Sequence, residues 1–305
     1  MKNEPLVSVV VLTYNSSKTI EDTLDSIYKQ TYPNIELVIS DDASKDNTRE
    51  VCQEWIDKFK GRFSNVFLSE NTSNVGVTQN LANGVSLAHG EWIKPIAGDD
   101  LLKSECCSVF VDYVKKNPQT QIVFGDTTAF KDVNGKRIYI ENKLKRDLVL
   151  FSKLSAKEQC SQLYSNNGLP ATCSFISKEL FCRYPLDVKY RNIEDWPYWL
   201  KLTKNGIHLD YIDRVLALYR REESVSIHRK TFWNLNYAAS IQMFYNDLIV
   251  ELENKNSILA TRYKKELFEM FLSIYIFNNK KNLITNILRK MIRNKLYYGS
   301  YFKIK

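Results

Sequence analysis

The chain contains no run of 18 uninterrupted apolar residues, so no membrane-spanning helix is expected. Its first residues, Met1 to Pro5, are polar, and the short apolar run behind them lacks a small-residue cleavage site, so no signal peptide is expected. No Cys-x-x-Cys pair occurs among Cys52, Cys106, Cys107, Cys160, Cys173 and Cys182, and none has zinc-like spacing with the three histidines. Reduced thiols in a cytosolic protein, mostly filling the core, are the reading that follows. Gly-x-Gly-x-x-Gly and the Walker Gly-Lys-Ser/Thr pattern are both missing, as is any internal repeat. Acidic residues are absent from 270–305, where eight Lys or Arg stand (Lys280, Lys281, Arg289, Lys290, Arg293, Lys295, Lys303, Lys305). That segment equals the whole formal charge of +8 and leaves the rest of the chain neutral. A basic tail attracts anionic lipid or nucleic acid, but no recognisable nucleic-acid module accompanies it, so nucleic acid is not an expected partner.

What is present is a chain of 305 residues, 44% hydrophobic, enough for one large or two ordinary domains with a proper core. Leu6 to Leu12 is a β-branched apolar run of the kind found in central parallel strands. Thr13-Tyr14-Asn15-Ser16-Ser17 follows as a turn, and Ile20, Leu24, Ile27 and Tyr28 share one helical face. Ile35 to Ser40 and Asn65 to Ser69 read as further strands, with helices running to about Lys60 and over Val77 to Leu87. Strands alternating with helices indicate right-handed βαβ units on a parallel sheet, an α/β nucleotide-binding half domain.

The most informative stretch is Gly90 to Asp100, where an apolar strand, Trp92 to Ala97, ends in Gly98-Asp99-Asp100. Ligands collect outside the carboxyl ends of such strands. Two acids there form a seat for a hard cation that also holds phosphates. The alternative is a cap, with Asp99 or Asp100 starting a helix near Leu101 that runs to about Lys116. Beyond it, Gln121 to Phe130, Arg137 to Ile140 and Ala171 to Ser177 read as strands, the first two joined by a hairpin turn at Asn134-Gly135. Asn192-Ile193-Glu194-Asp195 opens a helix carrying Trp196, Trp199, Leu200 and Leu202, and Ile207 to Ile212 and Val215 to Tyr219 are short strands. From about Ser226 only helical spacing survives, through Phe232 to Leu252, Ile258 to Phe277 and Leu283 to Leu296.

Thr13-Tyr14-Asn15, Asp41-Asp42, Asp99-Asp100 and Glu194-Asp195 thus fall at strand ends or on loops beside them. Singly they read as turns, Asx caps or an acidic first helical turn. Together they concentrate carboxylates at one sheet edge, which repel unless a cation or phosphate-bound metal sits among them. The segments Val7 to Asn15, Ser26 to Ser44, Asn74-Val75-Gly76, Asn80, Ala88 to Ile93, Gly98-Asp99-Asp100 and Glu194-Asp195 with Trp199-Leu200 resemble the inverting, nucleotide-sugar-dependent glycosyltransferases of family 2, which have the GT-A fold. The resemblance covers roughly residues 5–220.

The resemblance implies a GT-A catalytic domain over 1–222, with nucleotide-sugar binding in 1–100 and the acceptor side in 101–222, followed by a C-terminal helical region over 223–305. It implies that Thr13, Tyr14 and Asn15 contact the base largely through the backbone and that Asp42 accepts a hydrogen bond from a uracil or thymine ring N–H. Asn74 joins the nucleotide site, Asp99 reaches the ribose, Asp100 ligates Mn2+ or Mg2+, and Asp195 is the general base, with Glu194 a rival for that role. Arg220 and Arg221 are candidate phosphate partners. His228, on a loop that in related enzymes closes over the donor phosphates, is a candidate metal or diphosphate contact. His208 reads as structural. Trp196, Tyr198 and Trp199 are candidates for a sugar-stacking platform, with Trp199 also reading as core. Ala97 stands where the family often has another aspartate. The Gln-x-x-Arg-Trp pattern of processive synthases is missing, so single-residue transfer is expected.

The implied function is transfer of one sugar, from a UDP-sugar or alternatively a dTDP-sugar, to a glycan or polyprenyl-diphosphate-linked acceptor in O-antigen or capsule biosynthesis. A non-catalytic nucleotide-sugar-binding scaffold is the competing class, and a nucleotidyltransferase is disfavoured by the lack of a glycine-rich basic phosphate loop. Ile284, Ile287, Leu288, Met291, Ile292 and Leu296 repeat at helical spacing among basic residues. Two readings follow for residues 280–305: a helix packed on the catalytic domain with a solvated basic face, or an interfacial helix on anionic lipid. The expected location is the cytoplasm, free or on the inner face of the cell membrane.

Overall fold

The computed structural model describes residues 4–140, 147–221 and 231–291. The chain divides into two compact units, Met1–Val188 with Glu194–Arg221, and Lys189–Ile193 with Glu222–Lys305.

In the first unit, strand β1 (Val7–Thr13), helix α1 (Ile20–Tyr28), β2 (Ile35–Asp41), α2 (Thr48–Phe59), β3 (Val66–Glu70), α3 (Val77–Leu87) and β4 (Trp92–Ala97) alternate as the sequence pattern predicts. Then come β5 (Leu101–Leu102), α4 (Cys106–Lys116), β6 (Ile122–Val133), β7 (Lys136–Ile140), α5 (Leu148–Ser152) and α6 (Ala156–Leu163). A 3-10 turn (Ala171–Cys173) leads into β8 (Ser174–Ser177), and α7 (Lys178–Arg183), α8 (Asp195–Lys204) and β9 (Asp210–Arg220) complete the unit. The strands form one sheet in the order β3-β2-β1-β4-β8-β6-β9-β5, with β7 paired to β6. β3, β2, β1 and β4 are parallel, and β8 is antiparallel to both of its neighbours, β4 and β6. This is the α/β architecture expected: a parallel half, β3-β2-β1-β4, continued through antiparallel β8 into β6 and β9, which are parallel to each other, and flanked by helices.

The parallel half is apolar on both faces because helices cover both, so β1 and β2 read as unbroken apolar runs rather than alternating ones. Val7, Val9 and Val11 share a core cluster with Ile20, Leu24 and Ile27 of α1, Trp55 of α2 and Phe110 of α4. Phe175 of β8 stacks between Trp92 (4.9 Å) and Phe110 (5.1 Å), joining the two halves of the sheet. On the opposite face α3 lies so close that a Cβ on Gly84 would sit 2.6 Å from Val10 Cγ1. Each fully buried Val, Leu or Ile contributes about 1.5–3 kcal/mol. This double covering is therefore what holds the strand ends in place.

Three expectations are corrected. No helix begins near Leu101: Leu101 and Leu102 pair antiparallel with Leu218 and Ala217 of β9, and Glu105, not Asp99 or Asp100, precedes α4. The two short strands expected over 207–219 are the single strand β9, whose pairing with β6 shifts register around Asp126. The strand expected from Ala171 starts only at Ser174. The hairpin at Asn134-Gly135 does form, with φ of 51° and 74° at its two central residues, the left-handed values such a turn requires.

The second unit contains α9 (Leu235–Leu252), α10 (Ser257–Phe271), a π-helical turn (Leu272–Ile276) and helical residues 283–291. Asn234 caps α9 by accepting from the Asn236 and Tyr237 N–H groups, and Tyr245 of α9 packs on Tyr263 of α10 at 4.7 Å. Arg289 holds the last helix down: its Nε donates to Glu269 Oε1 at 2.8 Å, and its guanidinium lies 4.8 Å from the Phe232 ring. Ile292 and Leu296 lie outside the described residues.

Candidate active site

β1, β2 and β4 run in the same direction, so their carboxyl ends share one edge of the sheet. Thr13 is in register with Asp41, and Leu12 with Ala97. Two backbone bonds carry the alignment past the strands: the Asp42 N–H donates to Thr13 O (2.9 Å) and the Gly98 N–H to Leu12 O (2.8 Å). Three of the four expected segments therefore meet at one edge.

Beyond β1 the chain turns at Asn15, with φ of 52°, a left-handed conformation that asparagine tolerates. Its N–H donates to Ser44 Oγ (2.8 Å), and its Oδ1 accepts from the Lys45 N–H (2.7 Å), so the two strand-end turns are tied together. Tyr14 is exposed on the rim. Asp41 is turned inward and accepts from the Ser44 N–H and hydroxyl, and burial raises its carboxyl above the usual range. Asp42 faces the entrance of α3. Its Oδ1 accepts from the Val75 N–H (2.7 Å) and Asn71 Nδ2 (3.0 Å), and its Oδ2 from the Gly76 N–H (2.9 Å). Asp42 thus fixes the loop that contains Asn74. Thr13 is buried, and its Oγ1 has no hydrogen-bond partner among the described residues.

At the end of β4, Asp100 is 1% exposed, and each of its carboxylate oxygens has one donor. The Arg220 N–H reaches Oδ1 at 2.8 Å and the Thr172 hydroxyl reaches Oδ2 at 2.9 Å. Burial, and next the charge of Asp99, push its carboxyl up to about 7. Asp99 itself is half-buried.

Arg220 is a correction. Expected at donor phosphates, it is 4% exposed and already enclosed. Its Nε donates to Asp99 O (2.8 Å), its Nη2 to Asp22 Oδ2 (2.9 Å) and its Nη1 to Asp132 Oδ2, above the Phe130 ring. It clamps β9 under the Asp99–Asp100 turn. Arg221, next along the chain, is exposed, and its N–H donates to Phe130 O. His228 lies outside the described residues.

Among the described residues no three His, Cys, Asp or Glu side chains cluster in a way that could hold a metal. The adjacent carboxylates Asp99 and Asp100, one of them resisting ionisation beside the other, still suit a divalent ion whose coordination is shared with substrate phosphates and water.

Asp195 and Glu194 open α8, where the helix dipole favours negative charge. Asp195 Oδ1 accepts from the Trp196 N–H (2.7 Å) and Oδ2 from Asn167 Nδ2 (2.6 Å). Burial raises the carboxyls of both acids, and burial with the charge of Asp195 pushes Glu194 up to about 7. Asp195, with two donors, is the member of the pair that ionises first. The stacking platform is not formed by Tyr198 and Trp199, which are buried. Trp199 meets Phe124 edge-on at 5.0 Å and Tyr198 stacks on Phe181 at 5.4 Å. Trp196 is half-buried, and its Nε1 donates to Leu163 O. His208 is structural, set between Asp210 Oδ1 and Leu154 O at 3.0 Å each.

Two residues at the site carry no sequence signal: Asn167, on Asp195, and Thr172, on Asp100. A third, Lys94, is a fully buried lysine in β4 whose Nζ donates to Thr172 O (2.7 Å) and Pro95 O (2.6 Å). The lysine inside an otherwise apolar strand was the one visible anomaly that could have pointed to them, since a buried charge needs partners.

Comparison with known proteins agrees with this geometry. The putative teichuronic acid biosynthesis glycosyltransferase TuaG of Bacillus subtilis (strain 168) is 37% identical over 217 residues, 71% of this chain and 79% of that protein. A GalNAc(5)-diNAcBac-PP-undecaprenol beta-1,3-glucosyltransferase of Campylobacter jejuni is 27% identical over 264 residues, 86% of this chain and 79% of that one. Among solved structures, S. aureus TarS in complex with UDP-GlcNAc superposes with a TM-score of 0.58 at 17% identity, over 95% of this chain and 80% of that one. The mannosyltransferase PcManGT of Pyrobaculum calidifontis, in complex with GDP-Man and Mn2+, gives 0.60 at 19% identity, over 98% and 82%. At such identities the structures show the fold alone, which is of the GT-A type expected. The family model described as glycosyl transferase family 2 matches residues 8–184, more than half of the chain, and with these segments meeting at one sheet edge the chain belongs to that family.

Proposed function

We propose that the chain transfers one sugar from a nucleotide-diphosphate sugar to a hydroxyl of a glycan or a polyprenyl-diphosphate-linked sugar, with inversion, in the assembly of a surface polysaccharide. A UDP-sugar is the first donor and a dTDP-sugar the second. The observation that carries the reading is the meeting of Thr13, Asp42 and Asp99–Asp100 at one sheet edge, with Asp195 linked to it through residues 167–172. The names of the teichuronic acid and undecaprenol-linked relatives support the substrate class.

In this reading the turn Thr13-Tyr14-Asn15 receives the base. Asp42, whose Oδ2 has one donor and keeps acceptor capacity, takes a ring N–H, and Asn74 lines the same pocket. Asp99 takes a ribose hydroxyl, Arg221 approaches the diphosphate, and Asp100 contributes to the metal seat. Mn2+ or Mg2+, when bound, neutralises charge on the departing diphosphate. Asp195 accepts the proton of the attacking hydroxyl. With base and leaving group on opposite faces of the sugar, a single displacement inverts the anomeric carbon. A screen of UDP-, dTDP- and GDP-sugars with Mn2+, read as nucleotide diphosphate release, tests this. The parent should turn over at least one donor, chelation should abolish turnover, Asp195→Ala should keep binding and lose transfer, and Asp100→Ala should weaken donor binding. No release and no binding with any donor would leave only the scaffold reading.

A further observation favours attachment to a membrane surface. Residues 283–291 are seated by Arg289 on Glu269, so the helix turns its polar side inward. Leu283, Ile284, Ile287, Leu288 and Met291 are 40–76% exposed, the reverse of an ordinary surface helix. Phe268, Phe271, Tyr275 and Ile276 are exposed in the same unit, as are Lys280, Lys281 and Lys290. Apolar residues set among cations suit anionic lipid. Among the described residues no helix is long and apolar enough to cross a membrane, so the contact is peripheral in this reading. Flotation with phosphatidylglycerol vesicles should retain the parent and release a Leu283→Asp/Ile287→Asp variant. Equal flotation of both, or of neither, would remove the idea.

A further inference from the structure

Residues 167–172, Asn-Gly-Leu-Pro-Ala-Thr, touch both candidate acids. Asn167 Nδ2 donates to Asp195 Oδ2 at 2.6 Å, and Thr172 Oγ1 donates to Asp100 Oδ2 at 2.9 Å. The amide is oriented from its other end, because Asn167 Oδ1 accepts from the Leu169 N–H at 3.3 Å. Leu169 is buried, and the Cys173 N–H closes the 3-10 turn on Pro170 O at 2.8 Å. Two anchors hold the far end. Lys94 Nζ grips Thr172 O from inside β4, and Cys173 fills the space that a Cβ on Gly125 would need, 2.8 Å from its Sγ.

We infer that this segment is a strap that sets the general base against the donor seat, with Asn167 and Thr172 as positioning residues for the transfer reaction. The inference rests on the proposed function above and adds the elements that keep its two halves in register. A carboxylate on a helix terminus has rotamer freedom, and a base misplaced by an ångström can cost about a hundredfold in rate. Asp195 is confined by one donor on each oxygen, and only Asn167 of the two comes from outside α8. Asp100 is confined in the same way, with Thr172 as its only side-chain donor among the described residues. Four residues of backbone separate the two donors, stiffened by Pro170 and by the Leu169 anchor. A shift at one acid is therefore transmitted to the other, and the strap couples occupation of the donor seat to the placement of the base.

The experiment uses the full chain with UDP and Mn2+ as the binding probe, followed by calorimetry, and turnover of whichever UDP-sugar the parent hydrolyses or transfers fastest. Asn167→Ala should leave UDP–Mn2+ affinity within twofold and lower kcat by tenfold or more, with KM for the donor unchanged. Thr172→Val should weaken UDP–Mn2+ binding by about tenfold, the loss of one hydrogen bond to a charged group, and Thr172→Ser should restore it. In the double variant the effect of Asn167→Ala on kcat should fall below threefold, because the strap is already slack. Thermal melting separates these effects from loss of fold, since Thr172→Ser and Thr172→Val should melt within a few degrees of each other. Full additivity in the cycle, or a Thr172→Ser variant as weak as Thr172→Val, overturns the strap while leaving the enzyme reading intact. A parent chain that binds no UDP–Mn2+ and releases no diphosphate overturns both.

Discussion

Glu194 is predicted to lower the stability of the fold as the pH rises, and its neighbour to carry the chemistry. Burial, and next the charge of Asp195, lift the Glu194 carboxyl to about 7, and among the described residues it meets only its own backbone N–H. Its folded value lies above its unfolded one. Its contribution to stability is therefore complete below about pH 4.5 and is lost as the pH climbs through about 7. A carboxyl moved from 4.5 to about 7 changes the unfolding free energy by at most about 3.5 kcal/mol, at about 1.4 kcal/mol per pH unit. Glu194 is partly exposed and its titration depends on the charge of Asp195, so solvent screening reduces this to about 1–2 kcal/mol. Urea unfolding of the parent should lose that much between pH 5 and 8.5, and Glu194→Gln should not. Turnover at pH 7 should stay within about threefold in Glu194→Gln and fall about 10²–10⁴-fold in Asp195→Ala. Parallel pH dependence of stability in the two chains would refute the account of the pair. Loss of turnover in Glu194→Gln with survival in Asp195→Ala would move the base role to Glu194.

Three further substitutions probe how the site is built. Thr13→Val replaces a buried hydroxyl that has no partner among the described residues, and should raise stability by about 1 kcal/mol in urea melts. UDP affinity should be unchanged, since the expected contact is through the backbone. Arg220→Ala removes the buried one of two cations shared by Asp22 and Asp132, which keep Arg137 at 3.4 and 3.2 Å, and should cost about 1–3 kcal/mol, read as a lower urea midpoint with unchanged slope. A neutral outcome would mean that the clamp carries no weight. Gly84→Ala gains about 1 kcal/mol of helix propensity in α3 but drives a Cβ to 2.6 Å from Val10 Cγ1. Overpacking of this kind costs about 1–3 kcal/mol, so a lower melting temperature is expected.

Much of the parallel half was legible because its physics is local. β1, β2 and β4 are covered on both faces, so each appears as a continuous apolar run closed by polar residues, and the acids at their ends follow from chain direction alone. The turn after β4 misled for a reason of the same kind. Asp99-Asp100 followed by two leucines has the form of a cap and a helix start, yet Leu101 and Leu102 are claimed by Leu218 and Ala217, more than a hundred residues away. No window of sequence contains that pairing. Asn167 and Thr172 were invisible for the same cause: their partners lie 28 and 72 residues away, and neither the amide nor the hydroxyl belongs to a periodic pattern. β9 was split because exposed Asp213 and Arg214 interrupt its apolar character where its pairing with β6 is irregular.

Arg220 and the last helix show a different limit. The resemblance offers Arg220 as a phosphate partner, and helical spacing offers an apolar stripe among basic residues that either packs inward or lies on lipid; in both cases the direction is set by contacts distant in sequence. A guanidinium next to a phosphate seat and one locked beneath it have the same sequence; only Asp22 and Asp132, brought in by α1 and β6, decide between them. Likewise, a repeat at helical spacing establishes that a helix has an apolar face but not which way that face looks. In residues 283–291 the deciding contact is Arg289 on buried Glu269, a single ion pair that seats the polar side and turns the leucines and isoleucines outward. Arg289→Ala is therefore the substitution on which the lipid reading depends. With the pair gone, the helix is free to roll its apolar face inward, and vesicle binding should fall although no apolar residue has been changed. Unchanged flotation of Arg289→Ala would show that the ion pair does not set the face.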